Sequence, residues 1–206
     1  MRTLRSAGGC ETEVKRSRFV CELAPARTAD EAAEFLRQQR REHPDARHHC
    51  SAHVLGDDAS TRRSSDDGEP GGTAGVPMLE ALHRNEVTNA VAVVSRYFGG
   101  VLLGAGGLVR AYGGAVSAAL EQVGTVQLRA VRAVSTTVDY SVAGRLENAL
   151  RSAGHRVADV DYGAAVRFEV HVPDDEVDQF ATWLSETTAG AAAAERGPLL
   201  RAEPER

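Results

Sequence analysis

From Val87 to Ser95 the chain is nearly all apolar and rich in β-branched residues. A strand of this pattern needs cover on both of its faces, because it has no polar face to offer to water. The run is therefore the expected central strand of a sheet with layers above and below it. Beyond a glycine-rich turn, Leu108, Tyr112, Ala115, Val116, Ala119, Leu120 and Val123 recur at helical spacing. This spacing leaves Arg110, Gly113, Gly114 and Ser117 on the opposite face of the helix. Gly124 is expected to stop the helix and to close a first domain over 1–124.

Upstream, Lys15 to Leu23 reads as the first strand. Thr28 opens a helix, since Glu31 three residues on completes a capping box, and Ala29, Ala32, Ala33 and Leu36 form its apolar stripe. A strand over His48 to Gly56 leads into a polar stretch, Asp57 to Gly75, that is too long to be a mere turn. A short helix starts near Pro77 and points Met78, Leu79 and Leu82 inward.

Downstream of Gly124 the pattern changes to alternation. Val134, Thr136, Val138 and Tyr140 line one strand face, followed by a helix striped with Leu146, Ala149, Leu150 and Ala153. Strands near Arg156 to Tyr162 and Ala165 to Val172 meet at Gly163, and the second has a polar face of Arg167, Glu169 and His171. A helix with Val177, Phe180, Ala181 and Leu184 inward and a short strand before Gly197 complete the order β-α-β-β-α-β, which is ferredoxin-like. The tail from Pro198 is expected to fray. The fold class is α+β, with a second domain over 125–206.

Charge narrows the function. The net charge is −5, with 15 basic against 16 acidic residues up to Gly124 and 9 against 13 beyond it. Neither half is a basic nucleic-acid module, so RNA contact would rest on a local arginine patch. The N-terminal segment has no apolar h-region, and no later segment is apolar enough to span a membrane, so a cytoplasmic protein without membrane contact is expected. Cys10, Cys21 and Cys50 lack CxxC spacing and read as free thiols.

Three motifs stand out. In the run Arg62 to Gly75, Arg62, Arg63, Ser65, Asp66, Asp67 and Glu69 lie among glycines. This run reads either as a ligand-binding loop, whose carboxylates hold Mg²⁺ or accept from ligand N–H groups, or as a tight turn closed by internal Arg–Asp pairing. In the run Ser95 to Gly114, Gly104, Gly106 and Gly107 expose backbone N–H groups where a helix dipole begins, a natural anion seat, and Arg96 and Arg110 are placed to converge there with Arg62 or Arg63. Close helix–strand packing explains the same glycines. The spacing is neither GxGxxG nor a P-loop. The third run, His48 to His53, puts His49 and His53 on one strand face roughly 13 Å apart at about 3.3 Å per residue, too far for one ion. No metal site, cofactor or catalytic signature is read from the sequence.

The segments SDDGEPGGTAG and NAVAVVSRYFGGVLLGAGGLVRAYG resemble the signature of the YigZ/IMPACT family, and the run at His48 resembles the family's His-Asn-Cys, with His49 in place of Asn. The resemblance runs from Lys15 to Gly197. It implies a first domain similar to a small-subunit ribosomal protein fold also found in elongation factor G, and a second similar to that factor's final domain. The implied partner is the ribosome or RNA, or a translation-regulatory protein, because eukaryotic members similar in the first domain regulate translation. A non-enzymatic, translation-linked binding protein is the favoured expectation. The alternative is an enzyme that acts on a small phosphorylated or nucleotide substrate in the same pocket.

Overall fold

The computed structural model describes residues 1–202 and divides the chain into two compact units, Met1–Leu128 and a second from Arg129 onward. In chain order the elements of the first unit are β1 (Arg2–Leu4), β2 (Gly8–Val14), β3 (Ser17–Pro25), α1 (Ala29–Glu42), β4 (His48–Leu55), β5 (Thr61–Ser65), α2 (Gly75–Arg84), β6 (Ala90–Tyr97), α3 (Ala105–Val123) and β7 (Thr125–Gln127). The unit ends after Leu128 rather than at Gly124, because β7 pairs antiparallel with β1 and the Leu128 amide donates to the Met1 carbonyl.

The main sheet has the order β2-β3-β6-β4-β5, which puts the apolar run in the middle. Side chains alternate across β6. Ala90, Ala92 and Val94 join Phe19, Leu23, Met78, Leu82, Tyr112, Val116 and Leu120 beneath α2 and α3. Val91 and Val93 pack with Ala32, Phe35 and Leu36 beneath α1. Burial of each such large side chain contributes about 1.5–3 kcal/mol, so a β6 without either helix layer would expose several of them at once.

Three further expectations need correction in this unit. The first strand is not Lys15 to Leu23. Lys15 and Arg16 both take positive φ, 48° and 67°, and form the two-residue turn between β2 and β3; such turns match the twist of a hairpin. The stretch Asp57 to Gly75 is not wholly loop, because Thr61–Ser65 pairs with β4 as an edge strand. In the opening helix, Thr28 caps α1 as expected, with its hydroxyl accepting from the Glu31 amide at 3.2 Å, but Ala29 faces solvent.

The second unit runs β8 (Arg129–Val138), α4 (Tyr140–Ser152), β9 (Arg156–Tyr162), β10 (Val166–Pro173), a 3₁₀ turn (Asp174–Glu176), α5 (Val177–Thr187) and β11 (Glu195–Ala202). Its antiparallel sheet has the order β11-β8-β10-β9, the ferredoxin-like arrangement. One face, with Val134, Val138, Phe168 and Val170, is covered by Leu146, Leu150, Phe180 and Leu184 of the two helices. Tyr140 does not line the strand. It opens α4, 57% exposed, and its hydroxyl donates to the Gly163 carbonyl at 2.9 Å. Nor does the chain fray at Pro198: β11 continues to Ala202, and a register shift between Arg196 and Leu199 takes up the proline, whose missing N–H is tolerated at a bulge. The rest of the expected frayed tail lies outside the described residues. No described helix is long and apolar enough to cross a membrane.

Candidate functional site

Two glycine-rich loops of the first unit border one cavity of about 500 Å³, lined by Arg47, His48, Glu69, Arg96, Phe98, Leu102 and Gly104 among others. Strand register supplies most of the wall. His48 lies opposite Arg96 across β4 and β6, and Phe19 lies opposite Arg96 across β3 and β6. Directly opposed residues share a face of the sheet, so Arg96 points to the α2/α3 side, against its hydrophobic neighbours.

At that position a buried polar cluster forms. Arg96 Nη1 donates to Glu69 Oε1 at 2.6 Å, and the Tyr112 hydroxyl donates to the same oxygen at 2.8 Å. Arg96 and Glu69 are 6% and 9% exposed. A charged pair this desolvated is tolerated only with its hydrogen bonds in place. Arg96 Nη2 also reaches Ser17 Oγ at 3.4 Å, and its guanidinium lies 5.5 Å from the Phe19 ring and 5.7 Å from the Phe98 ring. His48 approaches Glu69 Oε1 at 4.0 Å, and its Nδ1 lies 2.9 Å from the Asp67 carbonyl.

The two aspartates hold the loop itself together. Asp66 Oδ1 accepts from the amides of Ala74 and Gly75 at 3.0 and 2.8 Å, and Oδ2 accepts from Gly72 at 2.8 Å. Burial alone would raise its pKa, but the backbone donors of Gly72, Gly75 and Ala74 together outweigh that and hold it below the usual carboxylate range. The anion also sits at the start of α2, where the helix dipole favours it. Asp67 accepts from the His49 amide at 2.7 Å and pairs with Arg40 at 2.6 Å. Its pKa is likewise lowered: burial opposes ionisation, and the His49 amide and Arg40 overcome it. Gly75 closes the loop against β5, since a Cβ there would lie 2.8 Å from the Ser65 amide nitrogen.

The second loop has the opposite character. Phe98, Val101 and Leu102 are 41%, 38% and 83% exposed. Gly104, at φ 72°, precedes α3, which has no side-chain cap and no acidic residue in its first turn. Gly107 donates back to the Gly104 carbonyl at 3.0 Å, with Gly106 exposed beside it. Arg47 lies over the Phe98 ring at 5.7 Å.

Of the residues singled out from the sequence, Glu69, Arg96 and Gly104 thus line one cavity, and Asp66 and Asp67 brace its wall. Ser65 ends β5, where its hydroxyl accepts from the Asp67 amide at 3.4 Å. The arginines do not converge. Arg62 and Arg63 are exposed on edge strand β5, with Arg62 Nε donating to the Ala59 carbonyl at 2.9 Å. Arg110 lines a separate groove between α2 and α3 with Pro77, Glu80, Arg84 and Gly113. Sequence reasoning missed Arg47, His48, Phe98 and Tyr112 as site residues. Tyr112 carried a signal, because a tyrosine in an apolar helical stripe brings a hydroxyl that needs a buried partner.

Activated nucleophiles are not found among these groups. Burial pushes the Cys50 thiol up to about 12, where it donates to the Asp66 carbonyl at 3.0 Å. The Tyr112 hydroxyl is also held far above its ordinary value, first by burial and then by Cys50 and Glu69. Neither group ionises near neutral pH, so neither stands here as an activated nucleophile.

Comparison with known proteins places this architecture. The Impact N-terminal domain matches residues 15–120, and a domain of unknown function (DUF1949) matches residues 136–191. The chain is 41% identical over 201 residues to IMPACT family member YvyE of Bacillus subtilis, covering 98% of this chain and 93% of that one. It is 41% identical over 181 residues to IMPACT family member YigZ of Escherichia coli, covering 87% and 89%. A crystal structure of a hypothetical protein superimposes with a TM-score of 0.74 at 38% identity, covering 99% of this chain and 98% of that chain. On the family models and these relatives, the chain belongs to the IMPACT family.

Proposed function

We propose that the first unit is a non-catalytic binding module that takes an unstacked nucleotide of structured RNA, ribosomal RNA foremost, at the cavity beside Phe98. The observation that carries this reading is the contrast around the cavity rim: the exposed ring of Phe98, the exposed Leu102, the guanidinium of Arg47 and the uncapped start of α3 all face one opening. Single-stranded nucleotides are held by base stacking on an aromatic ring combined with phosphate contacts at basic side chains and backbone N–H groups. An acidic chain can use this mode, because stacking does not depend on net charge. The acidic loop has no part in metal binding on this reading, since the carboxylates of Asp66, Asp67 and Glu69 are occupied by protein donors.

A second reading is an enzyme acting on a small phosphorylated substrate. The observation in its favour is His48 beside Glu69 on the cavity wall, a pair able to move a proton. Co-sedimentation with ribosomes separates the two. On the binding reading, wild-type protein sediments with ribosomes at low salt, and both Phe98→Ala and Arg47→Gln reduce the bound fraction. Removal of Arg47 also lowers the salt slope by about 0.7 to 0.9, the value for one phosphate contact. Unchanged sedimentation of both variants would sink the RNA reading, and a phosphate-ester turnover lost in His48→Gln would favour the enzyme.

A further inference from the structure

The second unit holds a cavity of about 290 Å³ at the end of its sheet, where α4 gives way to β9 and β10 enters the 3₁₀ turn; Arg129, His155, Arg156, His171 and Glu176 line it. Strand register brings these groups together from distant parts of the chain. His171 of β10 lies opposite Arg156 of β9, and Arg129 of β8 lies opposite Ala202 of β11.

The lining carries two arginines against one carboxylate, that of Glu176. Three other arginines of the unit are paired: Arg132 with Asp174 at 2.7 Å, Arg151 with Glu147 at 2.9 Å, and Arg196 with Asp178. Among the described residues, Arg129 and Arg156 have no carboxylate partner, although both line the same cavity. His171 shows a second asymmetry. Its Nε2 faces Glu169 Oε1 at 3.4 Å, while its Nδ1 is buried and meets no protein partner. A buried polar atom left this way costs free energy unless something completes it. His155 is held by its ring contacts to Phe180 and Trp183, both at 4.8 Å, so it is fixed rather than free to turn away.

We propose that this cavity is a phosphate-binding site, taking the phosphate group of a monoester or diester between Arg129, Arg156 and His171. Phosphate suits the lining better than carboxylate. Two guanidinium forks and an imidazole N–H supply more donors than the two oxygens of a carboxylate can accept, whereas phosphate offers three strong acceptor oxygens. The volume sits at the lower end of small-ligand pockets, which fits a phosphate with a small attached group. Glu176 and the carboxyl end of α4 oppose an anion there, so the arginines carry the binding.

The test uses the full chain, with the ring signals of His155 and His171 followed by NMR. Inorganic phosphate, adenosine monophosphate and a short RNA oligonucleotide are titrated in turn at ionic strength fixed with chloride. The site predicts saturable shifts of both rings with phosphate, and binding about tenfold weaker in Arg156→Gln, the loss expected for one charge-assisted contact. Arg156 is exposed on an edge strand, so this variant should fold; His171→Gln gives an independent second reading. Saturation by phosphate or the mononucleotide assigns a free ligand. Saturation by the oligonucleotide alone, weakened in Arg156→Gln but not in Phe98→Ala, assigns a polymer phosphate at this site. Shifts that never saturate, or that persist unchanged in Arg156→Gln, would overturn the proposal, whatever becomes of the cavity beside Phe98.

Discussion

The loop from Asp66 to Gly75 and the loop from Phe98 to Gly104 border the same cavity and are both rich in glycine, yet they use their side chains in opposite ways. In the first, every carboxylate is bound to a donor of the protein itself: Asp66 to three amides, Asp67 to His49 and Arg40, Glu69 to Arg96 and Tyr112. In the second, large apolar groups stand in solvent and the helix start behind them has no side-chain cap. Charged residues in a glycine-rich loop are therefore not by themselves the ligand contacts. Here they tie the loop to its own protein, while the neighbouring loop, poorer in charge, leaves large apolar groups exposed to solvent.

The largest test of this contrast is Glu69→Ala. It leaves Arg96 buried without its carboxylate, and breaking such a pair costs about 3–5 kcal/mol. Urea unfolding should show this as a lower midpoint with little change in slope. A loss below about 1 kcal/mol would mean that the wall does not depend on the cluster.

Asp66→Asn comes next, with a loss of about 2 kcal/mol expected from weaker capping of α2 and its loop. The sign with pH follows from the lowered pKa of Asp66 in the folded state. A depressed carboxylate adds stability that is fully present above the unfolded value of about 3.9 and is lost as pH falls through the folded value. Wild-type stability should therefore drop on acidification below about pH 4, and the Asn variant should show a shallower drop. Equal slopes in the two proteins would contradict the assignment of Asp66 as an ionised cap.

Phe98→Ala probes the other loop, and its main effect should appear in binding. Loss of one stacked base is worth about 1–3 kcal/mol of RNA affinity, measured by filter binding or sedimentation. The thermal midpoint should move far less than in Glu69→Ala. A variant that unfolds as readily as Glu69→Ala would make the Phe98 loop structural and erase the contrast. The smallest effect is expected at Arg62→Ala. Arg62 is exposed on an edge strand away from the cavity lining, so stability should stay within about 0.5 kcal/mol and RNA affinity should hardly change. A marked loss of affinity there would extend the binding surface along β5.

The readable parts of the fold were those with a local cause. The buried run that became β6, the capping box at Thr28 and the alternation of β10 each follow from residues within one element. The parts that were misread had weak local signals. The hairpin turn at Lys15 and Arg16 contains no glycine, and edge strand β5 is polar throughout and exposed, so neither looks like the structure it adopts. At the site, the sequence drew attention to Asp66, Asp67, Glu69 and Arg96 but grouped them with Arg62 and Arg110, which lie elsewhere.

The sequence by itself determined the α+β class, the ferredoxin-like second unit and the family, because periodicity, caps and long motifs are carried by neighbouring residues. Only the tertiary structure decided which charged groups are already satisfied. Ser17, Glu69, Arg96 and Tyr112 come from two strands, a loop and a helix. Whether a carboxylate meets a ligand or an arginine of its own chain depends on the register that brings such distant segments together, and no local pattern encodes that register.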